Sequence, residues 1–169
     1  MYHVNDTILY GSHGVCKITG ITKKDFGRVS DEYYILEPVY NNFTIYVPMH
    51  NDALAEKMHR VLTAEEIQAM IRSMPEEDTC WVENENERKE RFKDILARGN
   101  RREVLQMIKA LYLHQREQQD KGKRLHMADE RFFHEAEKML YDEFALVLNI
   151  TPEQVLPFIL EQIKVQNNG

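Results

Sequence analysis

The chain has one tryptophan, Trp81. It lies just ahead of a run in which seven basic residues, Arg88, Lys89, Arg91, Lys93, Arg98, Arg101 and Arg102, stand against two acidic ones, Glu90 and Asp94. A large flat ring beside local positive charge suits insertion into a bent nucleic acid, with cations on the flanking phosphates. The immediate setting of the ring, Asp78-Thr79-Cys80-Trp81-Val82-Glu83-Asn84-Glu85-Asn86, is polar and acidic, so burial alone explains it poorly. Interdomain packing is the ordinary use of a tryptophan and is also compatible with these residues. The basic run has two readings as well. On a helix, Arg91 and Arg98 flank one side of an apolar stripe and Lys89 and Lys93 the other, where their stems could simply cover a core or be solvated.

Residue patterns for catalysis are missing. The seven glycines are scattered through turns rather than gathered into a phosphate loop. A di-iron bundle needs two Glu-x-x-His pairs, and Glu56/His59 is a single one. No serine, histidine and acid form a nucleophile motif. His114, His126 and His134 sit on charged helical stretches and read as solvated or capping residues. Cys16 and Cys80 lack zinc-ligand spacing and do not suggest a disulfide. The expectation is a protein that is not an enzyme and has no catalytic residues, metal or cofactor.

Composition sets the remaining bounds. A length of 169 residues, 43% hydrophobic and 30% charged, fits one globular domain or two small ones. A net charge of −6 argues against a free-standing DNA binder that relies on phosphate neutralisation. A local patch can still touch DNA when another protein tethers it there. No apolar run approaches membrane-spanning length and no signal segment opens the chain, so the cytoplasm is the default expectation.

The first fifty residues read as strands: Asp6–Tyr10, Val15–Lys23, Glu32–Glu37 and Phe43–Val47, with Cys16 and Ile18 alternating against Lys17 and Thr19. Gly20 is placed to form a bulge, Asp25-Phe26-Gly27 a turn, and Phe43, Ile45 and Val47 share one face. Beyond Pro48 helical spacing takes over. Thr63-Ala-Glu-Glu66 is a capping box that opens a helix ending before Pro75. A linker follows from Met74 to Asn86, then a helix from Glu87 to Arg98 with Phe92, Ile95 and Leu96 inward and Gly99 as its stop. Asn100 caps the next helix, carried by Val104, Leu105, Ile108, Leu111 and Tyr112 to Gly122. Phe133, Ala136, Leu140, Phe144 and Val147 define another, and Thr151-Pro-Glu-Gln154 caps the last, which Pro157 should bend or delay. The expected class is α+β: a small antiparallel β module over residues 1–62, then a helical bundle over residues 63–169.

Two strings, Val4-x-Asp6-Thr7-Ile8-x-Tyr10-x-x-His13-Gly14-Val15 and Thr44-Ile45-Tyr46-Val47-Pro48, resemble the CarD/CdnL family of bacterial transcription regulators. The lone tryptophan, the basic helix ending at Gly99 and the Val104/Ile108/Leu111 helix follow in the family's order, so the resemblance covers nearly the whole chain. It implies a Tudor-like module that binds the β subunit of RNA polymerase. It also implies a helical domain that contacts promoter DNA weakly, and only on polymerase, at the upstream edge of the bubble. By position the resemblance makes Trp81 a minor-groove wedge and Arg88, Lys89 and Arg91 the phosphate contacts. Lys24, Thr44 and Tyr46 fall on the polymerase side. Tyr46 stands where many relatives carry arginine, so a salt bridge there is lost or replaced by packing, and Glu83 and Glu85 crowd the wedge. The implied function is stabilisation of the open complex; the residues leave the oligomeric state open, with a monomer favoured. The alternative is a helical adaptor with a non-polymerase partner.

Overall fold

The alternating residues near the N-terminus build five antiparallel strands in the order β4-β3-β2-β1-β5. They are β1 (Thr7–Tyr10), β2 (Val15–Phe26), β3 (Val29–Pro38), β4 (Ile45–Pro48) and β5 (Met58–Arg60), with a one-turn helix α1 (Asp52–Ala55) between β4 and β5. The computed structural model describes residues 2–26, 29–76 and 81–168. The Asp25–Gly27 turn therefore lies partly outside the described residues, and Asp78, Thr79 and Cys80 lie wholly outside them. The chain divides into two compact units, Met1–Val61 and Leu62–Gly169.

In the first unit Ile8, Tyr10, Cys16, Ile18, Tyr34, Leu36, Val47 and Met58 form the core. Burial pushes the Cys16 thiol up to about 12. The bulge expected at Gly20 is present as a register shift between Ile18 and Gly20. It puts Gly20 opposite Ile35 on the outer face although Ile18 points inward, since one extra residue reverses the alternation. Two strands are longer than the sequence suggests. Beyond the core, β2 and β3 continue as a ribbon in which Lys23 faces Glu32 and Lys24 faces Asp31, opposite charges that favour this register. Phe43 does not share the core face of β4: it precedes the strand and is exposed, with its ring edge-on to His13.

The second unit is helical: α2 (Ala64–Ser73), α3 (Glu85–Arg98), α4 (Arg101–Asp120), α5 (Met127–Leu148) and α6 (Pro152–Asn168). Both halves of the Thr63/Glu66 capping box form. Asn84 and Asn100 cap α3 and α4 by accepting from the N–H of Glu87 and Glu103. Gly99 ends α3 at φ 69°, a left-handed value that side chains disfavour. Phe92, Ile95, Leu96, Val104, Leu105, Ile108, Leu111, Phe133, Ala136, Leu140 and Phe144 are buried as their spacing requires. Pro157 does not delay α6, which begins at Pro152 and runs through it. The bond lost there frees only the carbonyl of exposed Glu153, which water can satisfy.

Glu143 is fully buried in this unit, gripped by Arg101 at 2.6 and 2.7 Å and accepting the Leu62 N–H at 3.1 Å. Glu137, also on α5, has its carboxyl raised by burial, which His134 opposes. A raised carboxyl binds its proton more tightly in the folded chain. Ionisation therefore costs stability above the folded-state value and costs nothing below the unfolded one. Glu137→Gln is expected to melt higher than wild type near neutral pH, with the gap closing as pH falls through the carboxyl range. Thermal melts in a pH series read this directly.

Candidate nucleic-acid and polymerase interfaces

Trp81 stands three residues ahead of the Asn84 cap, so the start of α3 sets its position. Its indole is half-buried, neither sealed in the core nor free. The His114 ring of α4 is stacked against it, with centroids 3.9 Å apart and planes 14° from parallel. Phe92 meets it edge-on at 6.3 Å, and the guanidinium carbon of Arg88 lies over it at 4.6 Å. His114 is thus neither solvated nor capping, as its charged surroundings suggested. It has turned inward to the tryptophan.

Arg88 is also relocated. Its residue is 4% exposed, and its Nε and Nη2 donate to the two carboxylate oxygens of Asp129 at 2.9 and 2.8 Å. Nη1 donates to the carbonyls of Val82 and Glu83 at 2.9 and 3.3 Å. Asp129 is 1% exposed, near the N-terminus of α5 where the helix dipole favours a carboxylate. A guanidinium so enclosed cannot reach a phosphate, which corrects the phosphate role expected of Arg88.

Much of the basic run is balanced in the same way. Lys89 pairs with Glu85 at 3.4 Å, Lys93 with Glu90 at 3.6 Å, and Arg98 with Asp94 and Glu103 at 3.2 and 2.7 Å. These exposed pairs are weak and open readily to a competing phosphate. Arg91 is exposed on α3.

In the first unit the structure brings Lys24 and Tyr46 together: the ammonium lies 3.9 Å above the phenol ring. They reach one another across β3, on the outer face where Tyr46 lies opposite Ile35. The contact is worth about 0.5–1 kcal/mol, the range of a cation–π pair near the surface. Among the described residues β4 is an edge strand paired with β3 on one side, and Thr44 is exposed just before it. Beside it Val39, Tyr40 and Phe43 are exposed hydrophobics, a patch the sequence reading passed over although apolar residues flanking Asn41-Asn42 signalled it. Among the described residues no cluster of histidine, cysteine or carboxylate could hold a metal ion, and no single helix is long and apolar enough to cross a membrane.

Residues 2–62 match a family model described as the CarD-like/TRCF RID domain, and residues 67–159 match one described as the CarD C-terminal domain. Over 165 residues the chain is 24% identical to the Bacillus subtilis (strain 168) protein named "Putative transcription factor YdeB", covering 94% of this chain and 99% of that one.

Proposed function

Because the chain belongs to the CarD family of transcription regulators, we propose that it binds the β subunit of RNA polymerase and stabilises the promoter open complex. The family is of transcription-factor type, and the proposed action requires no chemistry. The β4 edge offers unpaired backbone groups to a strand of the β subunit, while Tyr46, Lys24 and Thr44 provide selectivity. Once docked, the helical unit contacts DNA at the upstream edge of the bubble. There Trp81 acts as the wedge, and Lys89 and Arg91 approach phosphates. The chain acts in the cytoplasm as a monomer, and its DNA contact depends on polymerase, in keeping with its net charge of −6.

The observation that carries this reading is the placement of Trp81. The indole is held by three aromatic or cationic neighbours and keeps part of its surface in solvent, where it remains able to meet DNA. Insertion into a step that polymerase has already opened meets little unstacking cost.

Docking is tested by capture. Immobilised chain is expected to retain purified RNA polymerase through its β subunit, and Tyr46→Ala with Lys24→Ala to weaken that binding about fivefold, as for roughly 1 kcal/mol. Failure to retain polymerase would leave the adaptor role instead.

A further inference from the structure

A flat ring that intercalates needs a free face, because stacking on a base consumes one. Neither face of Trp81 is free. The His114 imidazole lies nearly parallel to the ring at 3.9 Å, too close to leave room for a guanidinium on the same side, so we place Arg88, whose guanidinium carbon is 4.6 Å from the ring centroid, over the other. The solvent-accessible part of the half-buried indole is therefore its rim.

The plates of this sandwich are themselves fixed. Arg88 grips both oxygens of Asp129 on α5 and the carbonyls of Val82 and Glu83, the two residues after the tryptophan. One guanidinium thus covers the indole, ties down the segment that bears it and joins both to a neighbouring helix. On α4 the His114 ring has Gln118 at 3.3 Å from Nε2 and Glu117 at 3.9 Å from Nδ1.

We propose that His114 and Arg88 are positioning residues that clamp Trp81 between them, so that it meets DNA with its edge rather than by stacking a face on a base. This rests on the wedge role given to Trp81 above. It also assigns functions to two residues whose charge alone pointed elsewhere. A clamped edge suits blocking reannealing from the groove side: a rigid body obstructs closure without ordering a mobile side chain at each encounter.

The single tryptophan makes the clamp visible by fluorescence, since all indole emission comes from Trp81. The experiment compares the full-length wild type with His114→Ala, His114→Phe and Arg88→Lys. It measures acrylamide quenching of the free proteins and open-complex lifetime with polymerase on promoter DNA, with far-UV circular dichroism confirming the fold. His114→Ala removes one ring pair, so the clamped population and the lifetime should each fall roughly two- to tenfold, with quenching rising in parallel. His114→Phe restores a flat plate and should recover both readouts, whereas Arg88→Lys, which loses the flat two-pronged grip, should not.

A longer lifetime in His114→Ala would overturn the proposal, because freeing a face would then help insertion. Wild-type quenching and lifetime in His114→Ala would overturn it too, even where Trp81→Ala shortens the lifetime. If Trp81→Ala has no effect on lifetime while His114→Ala raises quenching, the clamp stands and the wedge role falls.

Discussion

Trp81→Ala is expected to shorten the lifetime of the promoter open complex roughly tenfold, the change that follows from loss of about 1.4 kcal/mol of contact made in the open state alone. Its affinity for polymerase is expected to stay at the wild-type value. The two readouts should separate because the residues proposed to face polymerase belong to the first unit and Trp81 to the second. Truncating the indole also takes a partner from His114 and Phe92, so stability falls modestly, but it leaves no buried charge unpaired. Dissociation kinetics on several promoters, alongside polymerase titrations, measure both quantities. Wild-type lifetimes throughout would reduce Trp81 to a packing residue.

The second large effect lies at Arg88. Arg88→Ala is expected to destabilise the helical unit by about 3–5 kcal/mol, because it strands Asp129 at 1% exposure without a counter-charge. A phosphate contact on an open helix face would behave differently. Arg91→Ala, at an exposed position, should change stability by no more than about 0.5 kcal/mol while lowering the salt dependence of the promoter effect. Replacing both partners, as Arg88→Met with Asp129→Leu, should recover much of the stability, since an apolar pair of similar volume avoids desolvating two charges. Urea unfolding of the four proteins distinguishes these cases. If Arg88→Ala unfolds like Arg91→Ala, the buried pair does not hold.

These expectations mark where sequence reading reaches and where it stops. Thr63, Asn84, Asn100 and Gly99 act on backbone groups within four residues, so the helix boundaries they set are local events. Asn84 nonetheless started α3 earlier than its apolar spacing implied, because an acidic first turn carries no stripe to read. The inward row of Cys16 and Ile18 on β2 follows from period-two alternation, and Gly20 marks the bulge that interrupts it. β5 was not legible, since Met58-His59-Arg60 is too short to alternate. Exposed charge was read less well. Arg88 and Arg101 belong to a basic run, yet their partners Asp129 and Glu143 lie 41 and 42 residues further along the chain.

Most elements in their order along the chain, the caps of the helices and the family resemblance were therefore legible in the amino-acid string, because each depends on neighbours a few positions apart. Which arginine is internal, which histidine lies against the indole and which part of Trp81 remains open were settled by helix packing. Charge and aromaticity define what a side chain can bind, but the packed neighbours determine which of those partners lies within reach.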